Sequence, residues 1–235
     1  MTAEAKRGFP WGLTVASALV FVLLMSLGVW QVQRLQWKEG LIAQAESAAA
    51  LPPAPLAQVL ASPSPEFRRV LLDCPGLATA RFVQLQSITD DGPGLRLISL
   101  CRAAPDGPVI LVDRGFVAEE ASARPAVSDS TAPIRIEGVL RRHGEPGWFA
   151  AAPSNGRFLA RDDAAFTAAL GGGAPATPWT VFATTSTNPE LGALKPSAPP
   201  AAFANNHLGY LLTWFGLAIA LACFYVVLLR RRLMS

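Results

Sequence analysis

The stretch LGYLLTWFGLAIALACFYVVLL, residues 208–229, runs for 22 positions without a charge or a proline, and Arg230, Arg231 and Arg232 close it. A helix of that length rises about 33 Å, enough to cross a hydrocarbon layer of ~30 Å. A second stretch of the same kind, WGLTVASALVFVLLMSLGVWQV, fills residues 11–32, and no charge occurs between Arg7 and Arg34. Both predict transmembrane helices. A cleaved signal peptide is the other reading of the first stretch. A signal core usually has only ~7–15 residues, and Ala48-Ala49-Ala50 lies far beyond a usual cleavage distance.

Basic residues close to the helix ends set the expected orientation. Lys6 and Arg7 precede the first span and three arginines follow the second; Arg34 and Lys38 argue more weakly the other way. Both termini are therefore expected in the cytoplasm, with residues 33–207 on the far side. No Arg-rich, Ser-rich presequence is visible, so a bacterial inner membrane with a periplasmic domain is a simpler expectation than the mitochondrial intermembrane space.

Composition agrees with a membrane protein. Hydrophobic residues make up 51% and charged residues 16% of the 235-residue chain, and mean hydropathy is +0.32. These figures exclude a disordered or fibrous chain. The net charge of +3 comes from the termini, where Lys6, Arg7 and the three closing arginines sit, and the interior is near neutral. That is not the basic patch of a nucleic-acid binder, so no nucleic-acid partner is expected.

Prolines mark the edges of the outer region: Pro52, Pro53 and Pro55, then Pro63 and Pro65, lead in, and Pro189, Pro196, Pro199 and Pro200 lead out. They predict extended tethers. The organisation expected is a short N-terminus (1–10), a first span (11–32), a helix extension and linker (33–65), a β-rich domain (66–187), a second linker (188–207), a second span (208–229) and a basic tail (230–235). Within the domain, 67–73, 81–87, 95–102, 109–112, 134–141, 158–161 and 180–184 are short runs rich in β-branched and aromatic residues, and Gly, Pro and Asp separate them. Asp90-Asp91-Gly92-Pro93-Gly94 reads as a turn. One helix is expected at 162–170, capped by Asp162 or Asp163 and ended by Gly171-Gly172-Gly173. The predicted fold class is a membrane protein of α+β type: two transmembrane helices flanking one mostly antiparallel β domain with a helix or two. Cys74 and Cys101 are open to two readings, a disulfide permitted by an oxidising compartment or two buried small apolar residues. Cys223 falls in the second span.

The inventory is poor for catalysis. No C-x-x-C, H-E-x-x-H, G-x-S-x-G or phosphate-loop pattern occurs, and Asp90/Asp91 and Glu119/Glu120 read as solvated loop charges. The expectation is a protein that is not an enzyme. Of the two histidines, His143 reads as a surface residue in a polar turn. Asp113-Arg114-Gly115-Phe116 reads as a structural turn at a strand end, with Gly115 at positive φ and Arg114 pairing with Asp113 or folding onto Phe116.

His207 is different. It opens the second span on the outer side, and helical spacing sets Tyr210, Leu211 and Trp214 on its face, Trp214 about 10 Å deeper. An ionisable residue at the membrane boundary is a functional candidate, and imidazole is an axial ligand of haem iron. The alternative is an interfacial belt of His, Tyr and Trp. On the first helix Trp30, Arg34 and Trp37 recur at i, i+4 and i+7, as anchors with a snorkelling arginine or as a contact with the second helix or a partner. Gly28, Gly209 and Gly216 are positions where helices can approach closely.

Four stretches resemble the surfeit-locus-protein-one family of cytochrome c oxidase assembly factors. They are LGVWQVQRLQWK at 27–38, VDRGFV at 112–117, GVLR at 138–141 with the later Asn155, and NNHLGYLLTWFGLA at 205–218. Asp113 stands where the family usually has Asn, and Phe116 where it has Trp. The resemblance implies an assembly role in the haem–copper oxidase of the respiratory chain, with haem a held before or during insertion into the catalytic subunit. Carried over residue by residue, it makes His207 the iron ligand and Trp214 a haem contact, with Tyr210 a weaker candidate. Arg34, at similar depth on the other helix, is a candidate partner for a haem propionate. The expected partners are the catalytic subunit, other oxidase subunits or assembly factors, and the lipid bilayer. The competing expectation is a stoichiometric accessory subunit of the mature oxidase or a respiratory supercomplex, with His207 only a hydrogen-bonding anchor. A membrane-tethered sensor or enzyme is disfavoured for want of a catalytic constellation.

Overall fold

A computed structural model describes residues 9–89, 92–102, 109–142, 153–154, 156–172, 177–197 and 206–234. The expected Asp90-Asp91 turn, His143, Asn155, Lys6, Arg7, Gly173, Pro199, Pro200 and Asn205 lie outside the described residues. The chain forms two compact units, Met1–Ala43 with Phe203–Ser235, and Gln44–Ala202.

The first unit is a helix pair. Helix α1 (Trp11–Ala50) and helix α4 (His207–Met234) are both long and apolar enough to cross a membrane. Leu19, Val22, Ile219 and Phe224 all turn more than half their surface outward, an apolar coat suited to lipid rather than water. The α1 helix runs past the apolar span because residues 33–50 hold Ala, Gln, Glu, Lys and Leu and no proline. It stops ahead of Pro52, as proline disfavours helical geometry in the residue before it. At the other end of the chain, Arg231 and Arg232 in the last turn of α4 offset the negative end of the helix dipole.

The less exposed residues of α1 (Thr14, Ser17, Leu24, Gly28, Gln31) and of α4 (His207, Leu211, Trp214, Ala218, Tyr225) recur at three-, four- and seven-residue intervals, one stripe on each helix. Two hydrogen bonds tie these stripes together, Thr14 Oγ1 to Tyr225 Oη at 2.8 Å and Gln31 to His207 at 2.7 Å. The lower number on one helix meets the higher on the other, so the pair is antiparallel. The two ties lie about 26 Å apart along α1, one near each face of a bilayer. Gly28 does bring the helices together, since a Cβ there would come within 2.6 Å of the Phe215 ring. Gly209 and Gly216 do not: a Cβ on either would meet nothing within 4 Å.

The second unit is built on an eight-stranded sheet of order β1-β2-β6-β8-β5-β4-β3-β7. In chain order the strands are β1 (Ala54–Pro55), β2 (Arg69–Asp73), β3 (Val83–Thr89), β4 (Gly92–Arg102), β5 (Val109–Ala118), β6 (Arg135–Arg142), β7 (Arg157–Phe158) and β8 (Trp179–Ala183). Two short helices join them, α2 (Leu56–Leu60) and α3 (Asp163–Ala169). Four of the seven strand pairings are antiparallel, and the three parallel ones (β1·β2, β3·β7, β5·β8) are short. Asp162 caps α3 by accepting a hydrogen bond from the Ala165 amide at 2.9 Å.

Strand β5 is buried along nearly its whole length, with Ile110 and Val112 in one core cluster and Leu111 in another. Apolar layers therefore cover both faces, which is why the strand reads as an unbroken hydrophobic run.

Three sequence expectations need correction here. The proline-rich entry is not a free tether. Ala54 and Pro55 pair in parallel with Val70 and Leu71, and Leu56 and Val59 of α2 are buried in the main core. Proline is tolerated there because β1 is an edge strand. The exit is likewise attached: Leu194 is buried with Leu97 and Val117, and Lys195 exchanges backbone hydrogen bonds with Phe116. Finally, Asp113-Arg114-Gly115-Phe116 does not end a strand but continues β5. Arg96 faces Phe116 and Ile98 faces Asp113, so Arg114 and Gly115 together oppose Leu97 in a β-bulge. Gly115 takes φ +123°, and the Lys195 carbonyl fills the space a side chain would need.

Cys74 and Cys101 form a disulfide, with Cα atoms 5.7 Å apart and both residues buried in the main core. Of the two readings, the bridge holds. It closes a loop across 27 residues of sequence. Chain entropy of the unfolded state then gives about 3.5 kcal/mol of stabilisation. The double substitution Cys74→Ala with Cys101→Ala is expected to lose about that much, read from hydrogen exchange of the slowest amides of the sheet. A loss below about 1 kcal/mol would contradict it.

Candidate functional site

The end of the helix pair that carries His207 holds two polar side chains in apolar company. Gln31 lies on the shielded face of α1 and is only 7% exposed. A buried amide needs partners, and Gln31 Oε1 meets His207 Nδ1 at 2.7 Å. An amide oxygen only accepts, so the ring nitrogen facing it carries the proton. In a neutral imidazole this leaves Nε2 with a free lone pair, and Nε2 has no hydrogen-bond partner among the described residues. The first turn of α4 sets His207 at the helix's N-terminal end, where the ring is partly shielded and partly open.

Trp214 shares the less exposed stripe of α4 with His207 and Leu211, two turns further along. Tyr210 does not join them; it is 56% exposed and lies off the stripe. Arg34 is an exposed residue one turn beyond Gln31, and its guanidinium lies 4.4 Å from the centroid of the Trp37 ring. That is the snorkelling and stacking geometry expected of an interfacial arginine. Trp30 and Trp37 are both about half exposed, as belt residues are.

The β unit contains a second polar constellation, buried at Asp113, Arg96 and Thr180 and partly exposed at Arg161 and Asp163. Asp113 accepts hydrogen bonds from Arg96 Nε at 2.8 Å, Arg161 Nη1 at 3.3 Å and the Gly115 amide at 3.2 Å. Arg161 continues to Asp163 at 3.0 Å, and Asp163 accepts from Thr180 at 3.1 Å. The Phe182 ring lies beneath both guanidiniums, 5.3 Å from Arg96 and 4.9 Å from Arg161. Each charge here is already matched, so the cluster reads as a strand-locking network. No group of three or more metal-ligating His, Cys, Asp or Glu side chains occurs among the described residues.

Residues 18–219 match the model of the SURF1 family, an interval that takes in most of α1, the whole β unit and the first part of α4. The chain belongs to the SURF1 family. A SURF1-like protein from Monosiga brevicollis is 35% identical over 257 aligned residues, covering 99% of this chain and 92% of that protein. A SURF1-like protein from Drosophila melanogaster is 28% identical over 234 residues, covering 89% of this chain and 74% of its own length. SURF1 is the surfeit-locus family that the four sequence stretches resemble, a family of cytochrome c oxidase assembly factors rather than one defined by a reaction.

Asp113 stands where the resemblance led to an expectation of Asn. In this chain the carboxylate there answers two arginines, so the departure comes with its own partners. Arg114, the next residue, pairs with neither Asp113 nor Phe116. Its side chain donates instead to the Ala78 carbonyl at 2.8 Å, and to the Ala80 carbonyl, Ser99 and Thr187 at 3.4–3.5 Å. Burial without a carboxylate pulls its pKa down to about 10. The residue that sequence reasoning passed over is Gln31. Its signal was an amide side chain at the C-terminal end of an otherwise apolar span, level with the histidine that opens the other.

Proposed function

We propose that this SURF1 chain is an assembly factor for cytochrome c oxidase that holds haem a at the outer end of its helix pair while the catalytic subunit matures. The supporting observation is the Gln31–His207 hydrogen bond, which engages Nδ1 and leaves Nε2 with a free lone pair. The donor chemistry fits: a neutral imidazole with one nitrogen engaged and the other free is the form in which histidine binds haem iron. Haem a is cargo here, and its redox chemistry belongs to the oxidase. His207 holds the iron, Trp214 offers an aromatic face to the macrocycle or its apolar tail, Tyr210, one turn along α4 from His207, is a weaker contact, and Arg34, beyond Gln31 toward the polar layer, is the partner of a propionate.

The reading carries a topology. Both termini lie in the cytoplasm of a bacterium, α1 and α4 span the inner membrane, and the β unit is periplasmic. The cationic tails at Lys6, Arg7 and Arg230–Arg232 support it, as does the Cys74–Cys101 disulfide, which an oxidising compartment maintains. The partners are the catalytic subunit and other oxidase subunits or assembly factors.

Co-purification from native membranes tests the assembly role. The chain is expected well below one copy per mature, active oxidase, and enriched on catalytic subunit that lacks its full haem a. Stoichiometric association with active oxidase that survives detergent washing would make it an accessory subunit instead.

A further inference from the structure

We infer that Gln31 is a positioning residue for His207: by taking the Nδ1 proton into a hydrogen bond across the helix pair, it presents Nε2 as the iron-binding atom. The inference rests on the proposed haem-holding function and names the residue that prepares it.

Gln31 is held where its amide has little access to solvent, in a span with no charged residue from Trp11 to Val32. An unpartnered amide there costs free energy, so the contact with His207 is favoured by burial as well as by geometry. The contact also decides chemistry. A histidine side chain free in water favours a proton on Nε2, which would block that nitrogen as a ligand. A side-chain oxygen 2.7 Å from Nδ1 reverses the preference. It also restrains rotation of the ring, because Gln31 and His207 stand on different helices. Close packing of Gly28 against Phe215, three residues before Gln31 on α1, sets the approach of the two helices. Metal-bound histidines generally have such an outer partner on the second nitrogen, and losing it typically costs ~10–100-fold in affinity.

The test uses the full chain in detergent with two readouts. Nitrogen-15 NMR of the haem-free protein reads the tautomer: His207 is expected protonated on Nδ1 in the wild type, and shifted toward Nε2 in Gln31→Leu. Titration with haem a reads the ligand. Gln31→Leu is expected to weaken binding ~10–100-fold, and Gln31→Glu, which keeps an acceptor oxygen in reach of Nδ1, to restore it to near the wild-type value. A wild-type His207 protonated on Nε2, or a Gln31→Leu chain that binds haem a as the wild type does, overturns the role of Gln31 and leaves the haem reading standing. If Gln31→Leu does not fold, the wild-type tautomer and the Gln31→Glu titration decide the matter. A wild type with no His207-dependent haem band overturns the haem reading, and this inference with it.

Discussion

Replacing Asp113 with alanine is expected to destabilise the β unit by about 3–5 kcal/mol, the usual cost of breaking a buried ion pair by removing one partner. Asp113 is fully buried, and its removal leaves two guanidiniums facing an empty acceptor. Among the described residues, Arg96 then keeps hydrogen bonds to Ser197 alone and Arg161 an ion pair with Asp163 alone, beside the Phe182 ring. The Gly115 amide, at the bulge, also loses its side-chain acceptor. Strand β5 carries the site and pairs with both β4 and β8, so the loss falls on the middle of the sheet. Hydrogen exchange of the β5 amides in the intact chain measures it. Adding Arg96→Met to the same chain is expected to recover part of the loss, because a buried charge without a partner costs more than an apolar side chain of similar length. A β5 exchange free energy within about 1 kcal/mol of wild type would mean the network does not lock the strand.

The membrane spans were legible because lipid imposes an uninterrupted apolar requirement that composition alone reveals. The strands were legible as short β-branched runs between turn residues, and seven of the eight have a counterpart among the predicted runs, with boundaries shifted by a few residues. What escaped was set by partners distant in sequence. Ala54–Pro55 looked like a tether because proline breaks central strands, whereas this strand sits at the sheet edge. Asp113 and Arg114 looked like turn residues because buried charges are rare, and only the folded chain brings Arg96 and Arg161 to the first and the Ala78 carbonyl to the second. The short parallel pairings of β1, β7 and β8 leave no local trace.

At the candidate site, His207 and Trp214 were legible from helical spacing, and they do share one stripe of α4. Tyr210 was assigned to that face as well, but its larger angular offset leaves it exposed. Gln31 was hidden among the residues of an apolar span because its partner lies 176 positions away.

The largest effect on function is expected at His207. Detergent-purified wild-type chain, co-produced with haem a synthesis, should carry a Soret band, and His207→Ala should lose most of it, because α1 and α4 contain no other histidine. Folding is checked on the same samples by the hydrogen exchange of the β unit, which His207→Ala should leave unchanged because the histidine belongs to the other unit. The decisive measurement is therefore the Soret absorbance per polypeptide of the two proteins side by side: a band in the wild type that falls to near background in His207→Ala is the result expected. A wild type without a band, or equal bands in both, would contradict the assignment of the outer end of the helix pair as the place where haem a is held.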